Sequence, residues 1–324
     1  MAISISKHQS FSVTAEHAGK TLAACLRLWL PGQSWTQVRK FIDARRIQIN
    51  GEVWRDEARR LKAGDTVELL VQAAKAPVVL IDQIPIRYID EHIVVVEKPT
   101  GISTVRHPAE RDWLEERRLL VLTLDDLVMR QIGMNLPQKK HDPRHRLRIV
   151  QRLDKETSGL VVFARTVDAE RGLGMQFRRH TVTRRYLALV AGMVTPQTIR
   201  STLVRDRGDG RRGSTTLRDT GKEAVTHVTV EESLPGYTLL SCRLETGRTH
   251  QIRIHLSELG HPVCGERVYN RRFNGEEIPD NSGAPRLALH AAELGFTHPI
   301  TEEAMHWDMP PPSDLRTFLE RLRK

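Results

Sequence analysis

Long apolar stretches are missing from this chain of 324 residues. No run approaches the roughly 20 apolar residues that a membrane-spanning helix needs. The first ten residues also lack the hydrophobic segment of a secretory signal. We therefore expect a cytoplasmic protein that has no membrane partner.

Cysteine is scarce as well. The three cysteines, Cys25, Cys242 and Cys264, lie far apart in the sequence. They form neither the paired spacing of a zinc knuckle nor the disulfide framework of a small secreted domain. This pattern fits a reducing compartment. The chain also has no internal repeat and no low-complexity tail.

Basic residues, by contrast, are abundant. Lysine and arginine total 50 against 40 acidic residues, which gives a formal net charge of +10. Such a surplus favours a polyanionic partner, and nucleic acid is the first candidate. At this length, one large domain together with a small one is the natural expectation.

The most informative stretch runs from residue 149 to residue 165. Residues 159–164 form a short, continuous apolar run, which predicts a strand buried on both faces. The preceding residues are dense in charged and hydroxyl side chains, so Asp154 falls on a loop just ahead of a core strand. Loops held by a rigid scaffold often carry function. A surface turn in which Asp154 pairs with Arg152 or Lys155 is the alternative that spacing alone leaves open.

The order of residues in this loop is more specific than its composition. Residues 152–160 read Arg-Leu-Asp-Lys-Glu-Thr-Ser-Gly-Leu, which resembles the signature loop of the RluA family of pseudouridine synthases. Gln151 stands where that family usually has histidine. The resemblance continues in Lys-Pro-Thr-Gly at 98–101, Tyr-Leu-Ala-Leu-Val at 186–190 and Gly-Arg-Thr-His-Gln-Ile-Arg-Ile-His at 247–255.

The resemblance implies an α+β protein. Its catalytic domain would be a pseudouridine synthase fold, with a largely antiparallel mixed β-sheet and flanking helices. The strand signals alone give only a mixed α/β or α+β domain. A small α/β RNA-binding domain would precede it, because residues 19–71 are similar in order to the domain named after small-subunit ribosomal protein S-four. A short Ala-rich segment then places the boundary between domains 1–75 and 76–324.

The predicted small domain has a basic helix and a hairpin. Helical spacing predicts that Trp35 packs inward with the apolar residues that follow it, and Asn50-Gly51 suits a hairpin turn. We expect Arg39, Lys40 and Arg45 to contact RNA phosphates. Simple solvation of these charges is the alternative for an isolated helix.

Three residues carry the chemistry that the resemblance implies. Asp154 would act either as a nucleophile at the anomeric carbon or as the base of an elimination route. Arg253 matches the family's active-site arginine, and we expect it to hold the carboxylate in a planar two-donor grip. Tyr186 matches the active-site tyrosine, which would stack on uracil and help to remove the proton from carbon 5. Without the resemblance, Tyr186 reads as an ordinary half-buried side chain.

RNA contacts follow from the same resemblance. A uridine in folded RNA must be extruded to reach such a pocket, and Arg152 would fill the vacated space. Arg248 is expected to be structural or to face RNA. We expect His250 and His255 to be satisfied structural histidines. Because the isomerisation needs no oxidant, metal or phosphate donor, we expect no cofactor and no metal.

We therefore expect an RNA pseudouridine synthase that acts as a monomer on structured RNA. Large-subunit ribosomal RNA is the first expectation for the target, and transfer RNA is the alternative. A non-catalytic ribosome-assembly factor would not need Asp154, Tyr186 and Arg253 together. A nucleotide-dependent enzyme would need a phosphate loop, and the Gly-rich segment 208–213 has neither a buried strand before it nor an apolar helix after it.

Overall fold

The computed structural model describes residues 8–44, 46–54, 57, 59–72, 83–107, 110, 121–133, 146–208, 210–217, 220–270 and 276–324. The chain divides into two compact units, Met1–Ile81 and Asp82–Lys324. The predicted boundary between residues 75 and 76 lies outside the described residues. A search of the described helices found none with the length and apolar character to cross a membrane.

The first unit combines two helices with a four-stranded antiparallel sheet. In chain order its elements are β1 (Gln9–Ser12), α1 (Leu22–Trp29), α2 (Trp35–Asp43), β2 (Ile47–Ile49), β3 (Glu52–Val53) and β4 (Thr66–Leu69). The strands lie in the order β1-β4-β2-β3. The helices and the sheet share one apolar core, which includes Leu22, Leu26, Val38, Ile42, Ile47, Val67 and Leu69.

Local sequence explains how two of these elements begin and turn. Asn50 and Gly51 both have positive φ angles, 52° and 81°, as a type I′ hairpin turn requires. The predicted hairpin is thus confirmed between β2 and β3. Helix α2 begins with a capping box, in which Ser34 and Gln37 each bond the other's backbone N–H through their side chains.

Trp35 does not belong to the apolar core of the first unit. Its side chain is 51% exposed, whereas Val38, one turn further along α2, is fully buried. The prediction that Trp35 packs inward is therefore wrong. Helical spacing assumes that the apolar face is covered along its whole length, and here the first turn of α2, including Thr36, is exposed.

The second unit is built on one sheet of 11 strands. These are β5 (Ile86–Ile89), β6 (Ile93–Lys98), β7 (Arg148–Ile149), β8 (Ser158–Ala164), β9 (Thr183–Ala191), β10 (Gln197–Val204), β11 (Gly213–Ser214), β12 (Lys222–Leu234), β13 (Tyr237–Leu244), β14 (Leu289–Thr297) and β15 (Ala304–Asp308). Its described helices are α3 (Leu124–Gln131), α4 (Val167–Arg178), α5 (Gln251–Glu258) and α6 (Ser313–Leu322).

The strands of this sheet lie in the order β11-β10-β12-β13-β9-β14-β8-β6-β5, with β15 beside β14 and β7 beside β8. Among the described strands, β14 and β8 pair in parallel and all other pairs are antiparallel. This confirms the expected α+β class and the largely antiparallel mixed sheet.

The parallel junction explains a glycine of the signature loop. Gly159, at the start of β8, has a φ angle of 130°, and a Cβ placed there would lie 2.3 Å from the carbonyl oxygen of Ala291 on β14. Only glycine fits such an approach of two backbones. Strand β8 is buried along its whole length, as predicted for residues 159–164. The loop that carries Asp154 therefore leads into the rigid centre of the sheet.

Candidate active site

A cavity of about 950 Å³ opens in the second unit. Its wall is formed by segment 103–107, the loop 150–155 ahead of β8, residues of α4 and β9, and segment 247–253 at the start of α5. Five predicted site residues line it, namely Asp154, Tyr186, Arg253, Arg152 and Arg248. The fold thus brings together residues that are up to 101 positions apart in the chain (152 to 253).

Asp154 lies between two side chains of the segment that begins α5. Its Oδ2 is 3.3 Å from Arg253 Nη1, and its Oδ1 is 3.7 Å from His250 Nε2. The Asp154 side chain is 22% exposed and that of Arg253 only 6%. Arg253 thus donates a hydrogen bond to one carboxylate oxygen, His250 lies near the other, and the carboxylate still faces the cavity.

Arg253 is fixed from behind by Glu266. Its Nε and Nη2 donate to the two carboxylate oxygens of Glu266 at 2.7 and 2.8 Å, which is a bidentate pair. Burial would raise the pKa of Glu266, but the hydrogen bonds and charge of Arg253 hold it below its usual value. The prediction of a two-donor grip on Asp154 is therefore wrong, because the planar fork of Arg253 binds Glu266 and only Nη1 reaches Asp154.

His250 begins α5 in a left-handed backbone conformation, with φ at 60°. Its Nδ1 lies 2.7 Å from the hydroxyl of Tyr269. In the neutral tautomer with Tyr269 donating to Nδ1, the Nε2–H faces Asp154. Burial lowers the pKa of His250, which favours this neutral form.

His255 fits the expectation of a satisfied structural histidine, and His250 fits it only in part. His255 is fully buried, and its ring nitrogens lie 2.9 Å from the hydroxyls of Ser201 and Thr226. His250 is hydrogen-bonded as expected, but it also lines the cavity and faces the central carboxylate.

Tyr186 presents an aromatic side chain to the same cavity from β9. It is 9% exposed, and burial raises the pKa of its phenol. The phenol is therefore protonated at neutral pH. Its ring offers a flat apolar surface on which a planar ring can stack, and its hydroxyl can hydrogen-bond.

The loop that carries Asp154 is tied to segment 98–104 by hydrogen bonds to its backbone. Lys98 Nζ donates to the carbonyl of Lys155 at 3.1 Å. The hydroxyl of Thr104 donates to the carbonyl of Leu153 at 2.7 Å and accepts from the Leu153 N–H at 3.0 Å. Both flanks of Asp154 are thus fixed, which gives the Lys-Pro-Thr-Gly motif a physical role that its sequence did not reveal.

Three other polar residues of the cavity wall differ in the hydrogen bonds that their side chains make. Arg152 is exposed on the cavity wall. Gln151 also lines the cavity, and its Nε2 is buried without a hydrogen-bond partner among the described residues. Arg248 Nε donates to the carbonyl of Glu223 at 2.9 Å, so Arg248 has a structural bond as well as a place on the wall.

The remaining predicted RNA contacts belong to the first unit. Arg39 and Lys40 are exposed on α2, and Arg39 Nε lies 2.7 Å from a carboxylate oxygen of Glu57. Arg45 lies outside the described residues.

Sequence reasoning missed several residues that build the site. Glu266 and Tyr269 fall in a short loop, where one acid and one tyrosine gave no periodic signal. Arg184 lines the cavity but stands in a run of basic residues that reads as a solvated strand end. Their roles depend on contacts between distant segments, which no local pattern records.

Comparison with protein families and with curated proteins gives consistent matches. The family model for RNA pseudouridylate synthase matches residues 92–258, and the S4 domain model matches residues 26–67. The chain is 34% identical to the ribosomal large subunit pseudouridine synthase D of Nitrosomonas europaea, over 94% of this chain and 85% of that one. It is 36% identical to the uncharacterized RNA pseudouridine synthase YlyB of Bacillus subtilis, over 96% and 95% of the two chains.

Solved structures share the fold of about three quarters of this chain. Human RNA Pseudouridylate Synthase Domain Containing 4 aligns with a TM-score of 0.56 at 24% identity, over 74% of this chain and 93% of that chain. Human RNA Pseudouridylate Synthase Domain Containing 1 aligns with a TM-score of 0.54 at 24% identity, over 74% and 88%. These alignments confirm the expected fold.

Proposed function

The chain belongs to the RNA pseudouridylate synthase family, and from this premise we propose that it converts specific uridines of large-subunit ribosomal RNA into pseudouridine. The observation that carries the proposal is the oriented carboxylate of Asp154 in a cavity that also holds Tyr186. The relative from Nitrosomonas europaea is named for the same RNA, which supports the choice of substrate.

The reaction detaches uracil from ribose and attaches it again through carbon 5. The bond between nitrogen 1 and the sugar breaks, the ring turns over, and a carbon–carbon bond forms. Carbon 5 loses its proton and nitrogen 1 gains one, so no group enters or leaves the nucleotide. The site must therefore supply an ionised acid beside the sugar and a surface that keeps the detached uracil in place.

Asp154 is the acid that suits this task. The other carboxylate on the described wall, Glu170, lies 2.8 Å from Arg148. Asp154 either attacks the anomeric carbon as a nucleophile or removes a proton from the neighbouring ribose carbon as a base. Both routes begin with the ionised carboxylate, which Arg253 and His250 orient.

Tyr186 holds the uracil through stacking in this proposal. Because burial keeps its phenol protonated, the hydroxyl accepts the carbon 5 proton only while its own proton passes to a neighbouring base such as Asp154. Arg152 takes the place of the extruded uridine in the RNA, and Arg248 contacts RNA from the cavity wall.

RNA binding outside the cavity is assigned to the first unit. We propose an RNA-binding domain at 1–75 and a catalytic domain at 76–324, which the S4 match at residues 26–67 supports. Arg39, Lys40 and Arg45 would contact phosphates there. We further propose that the protein acts as a cytoplasmic monomer.

The test uses RNA transcribed in vitro with tritium at carbon 5 of uracil. That hydrogen is lost to water when carbon 5 becomes bonded to the sugar. We expect the purified protein to release tritium from large-subunit ribosomal RNA and not from transfer RNA. Release from transfer RNA alone would contradict the proposal that large-subunit ribosomal RNA is the substrate. Binding of both RNAs without release would favour a non-catalytic assembly factor.

A further inference from the structure

Arg184 is a cavity residue to which the proposed reaction gives no task. It lies on β9, two residues before Tyr186, and lines the same cavity. Its Nη2 donates to the carbonyl oxygens of Leu244 and Glu245 at 3.3 and 3.2 Å. Its guanidinium carbon is 5.5 Å from the centre of the Phe177 ring. The guanidinium is thus held in one place by backbone oxygens and an aromatic ring.

No acidic side chain among the described residues lies close enough to neutralise this cation. Within the part of the chain that the structure describes, no carboxylate oxygen lies within 4.0 Å of Arg184. Its Nε is buried without a hydrogen-bond partner. The next residue, Arg185, shows the contrast, because its Nε lies 2.7 Å from Glu293. A buried charge is costly unless it is paired, so a fixed guanidinium with no described carboxylate beside it is suited to an anion from outside.

The position of Arg184 indicates which anion reaches it. Residues two apart on a strand share a face and are separated by about 7 Å. A nucleotide whose uracil lies against Tyr186 carries its phosphates at about that distance from the base. Gly247 leaves space beside this guanidinium, since a Cβ there would lie 2.8 Å from Arg184 Nη1.

We propose that Arg184 binds an RNA phosphate next to the target uridine and so fixes the extruded nucleotide over Asp154 and Tyr186. The inference rests on the proposed function and adds a phosphate site to it. Guanidinium is suited to this role because it stays charged when partly buried and donates directionally to phosphate oxygens.

The first experiment compares Arg184→Met with Arg171→Met. Methionine keeps an apolar chain against Phe177 and removes the charge. Arg171 is a matched control, because it is an exposed arginine on α4 that contacts Asp168 and does not line the cavity. We expect Arg184→Met to raise KM for tritium release at least about tenfold and to reduce the salt slope of RNA binding by about 0.7 to 0.9. Arg171→Met should leave both values near those of the wild type.

Arg184→Lys distinguishes loss of the charge from a folding defect. It keeps the charge and should therefore retain most of the salt slope of RNA binding. A loss of the same size in Arg184→Lys, with unchanged thermal unfolding of both variants, would overturn the assignment. So would equal behaviour of Arg184→Met and Arg171→Met. If the wild type releases tritium, these results contradict only the phosphate site. If it releases none from any RNA, the proposed function itself fails.

A second experiment removes the charge of the phosphate and leaves the arginine unchanged. Short RNAs with the mapped target uridine carry one methylphosphonate, either on its 5′ side or on its 3′ side. At one of these positions we expect the wild type to lose as much affinity as Arg184→Met does, and the variant to lose nothing further. Additive losses at both positions would overturn the proposal.

Discussion

The charges around Asp154 alternate in sign. Glu266 binds Arg253 through two bonds, and Arg253 reaches Asp154 through one. A carboxylate gripped by a full guanidinium fork would be a weaker base and nucleophile, because its charge would be more strongly stabilised. Glu266 takes up the fork, so in the proposed reaction Asp154 is oriented without losing its reactivity. We therefore propose that Glu266 is a positioning residue for the reaction.

Exchanging Glu266 for glutamine tests this arrangement at the scale of one residue. We expect Glu266→Gln to lower the rate of tritium release by about tenfold or more, because the freed guanidinium turns toward Asp154. Loss of a buried charged partner should also destabilise the fold by roughly 3 kcal/mol. Single-turnover tritium release and urea unfolding measure the two effects.

A matched control for this exchange lies on the surface. Glu232 forms the same bidentate pair with Arg323, at 2.8 and 2.7 Å, but its side chain is 33% exposed. Glu232→Gln should change stability by less than about 1 kcal/mol and leave the rate unchanged. Wild-type turnover in Glu266→Gln would show that the fork of Arg253 does not govern Asp154.

The sequence predicted residues that line the cavity, but it did not predict which side chains they bind. The signature loop pointed to Asp154, and the cavity does contain it together with Tyr186 and Arg253. Glu266 could not be predicted, since a single acid in a short loop has no periodicity. Its pairing depends on a contact across 13 positions.

At the scale of elements, the end of β6 and the residues after it hold the reactive loop. Lys98, the last residue of β6, is fully buried and donates to the carbonyls of Pro99 and Lys155. Burial lowers its pKa from 10.5 to about 7. A side chain that favours its neutral form in the fold must make stability depend on pH.

Lys98→Met removes this dependence. The pKa of Lys98 is lower in the folded state than in the unfolded one, so its contribution is fully present above pH 10.5 and is lost as the pH falls toward 7. Between pH 7 and pH 10 we expect the wild type to gain on the order of 4 kcal/mol in unfolding free energy relative to Lys98→Met. Urea unfolding at the two pH values measures the gain.

Lys222→Met provides the control for this exchange, because Lys222 is an exposed lysine and the first residue of β12. It should keep the pH dependence of the wild type. Equal pH dependence of the unfolding free energy in Lys98→Met and Lys222→Met would contradict the lowered pKa of Lys98.

Prediction of elements succeeded where one local rule dominates. Asn50-Gly51 and β8 follow from turn chemistry and a continuous apolar run. The prediction for Trp35 failed because helical spacing does not show where the apolar face of a helix stops being covered. The parallel pairing of β14 with β8 joins segments about 130 residues apart, and no local pattern contains that information.

At the scale of the whole molecule, the net charge of +10 suits a polyanionic substrate. Both units present basic residues, Arg39 and Lys40 on α2 of the first, and Arg152 and Arg248 at the cavity of the second. The class of fold followed from family resemblance. The order of the 11-stranded sheet did not, because strand order is set by contacts between distant segments.

Reversing two charges on α2 tests the role of the first unit. The double change Arg39→Glu with Lys40→Glu should weaken binding to large-subunit RNA and lower the salt slope by up to about 1.8. Arg171→Glu with Arg316→Glu makes the same change in net charge on exposed residues away from the cavity wall. If both pairs lower the slope equally, α2 makes no specific phosphate contact.

Tritium release from large-subunit RNA by the wild type, Asp154→Asn and Glu170→Gln tests the proposed role of Asp154. Glu170 is the second acid on the described wall and is paired with Arg148, so its variant should turn over like the wild type. Asp154→Asn should release no tritium above background while binding RNA within a few fold of the wild type. Turnover by Asp154→Asn at a rate near that of the wild type would contradict the central role of this carboxylate.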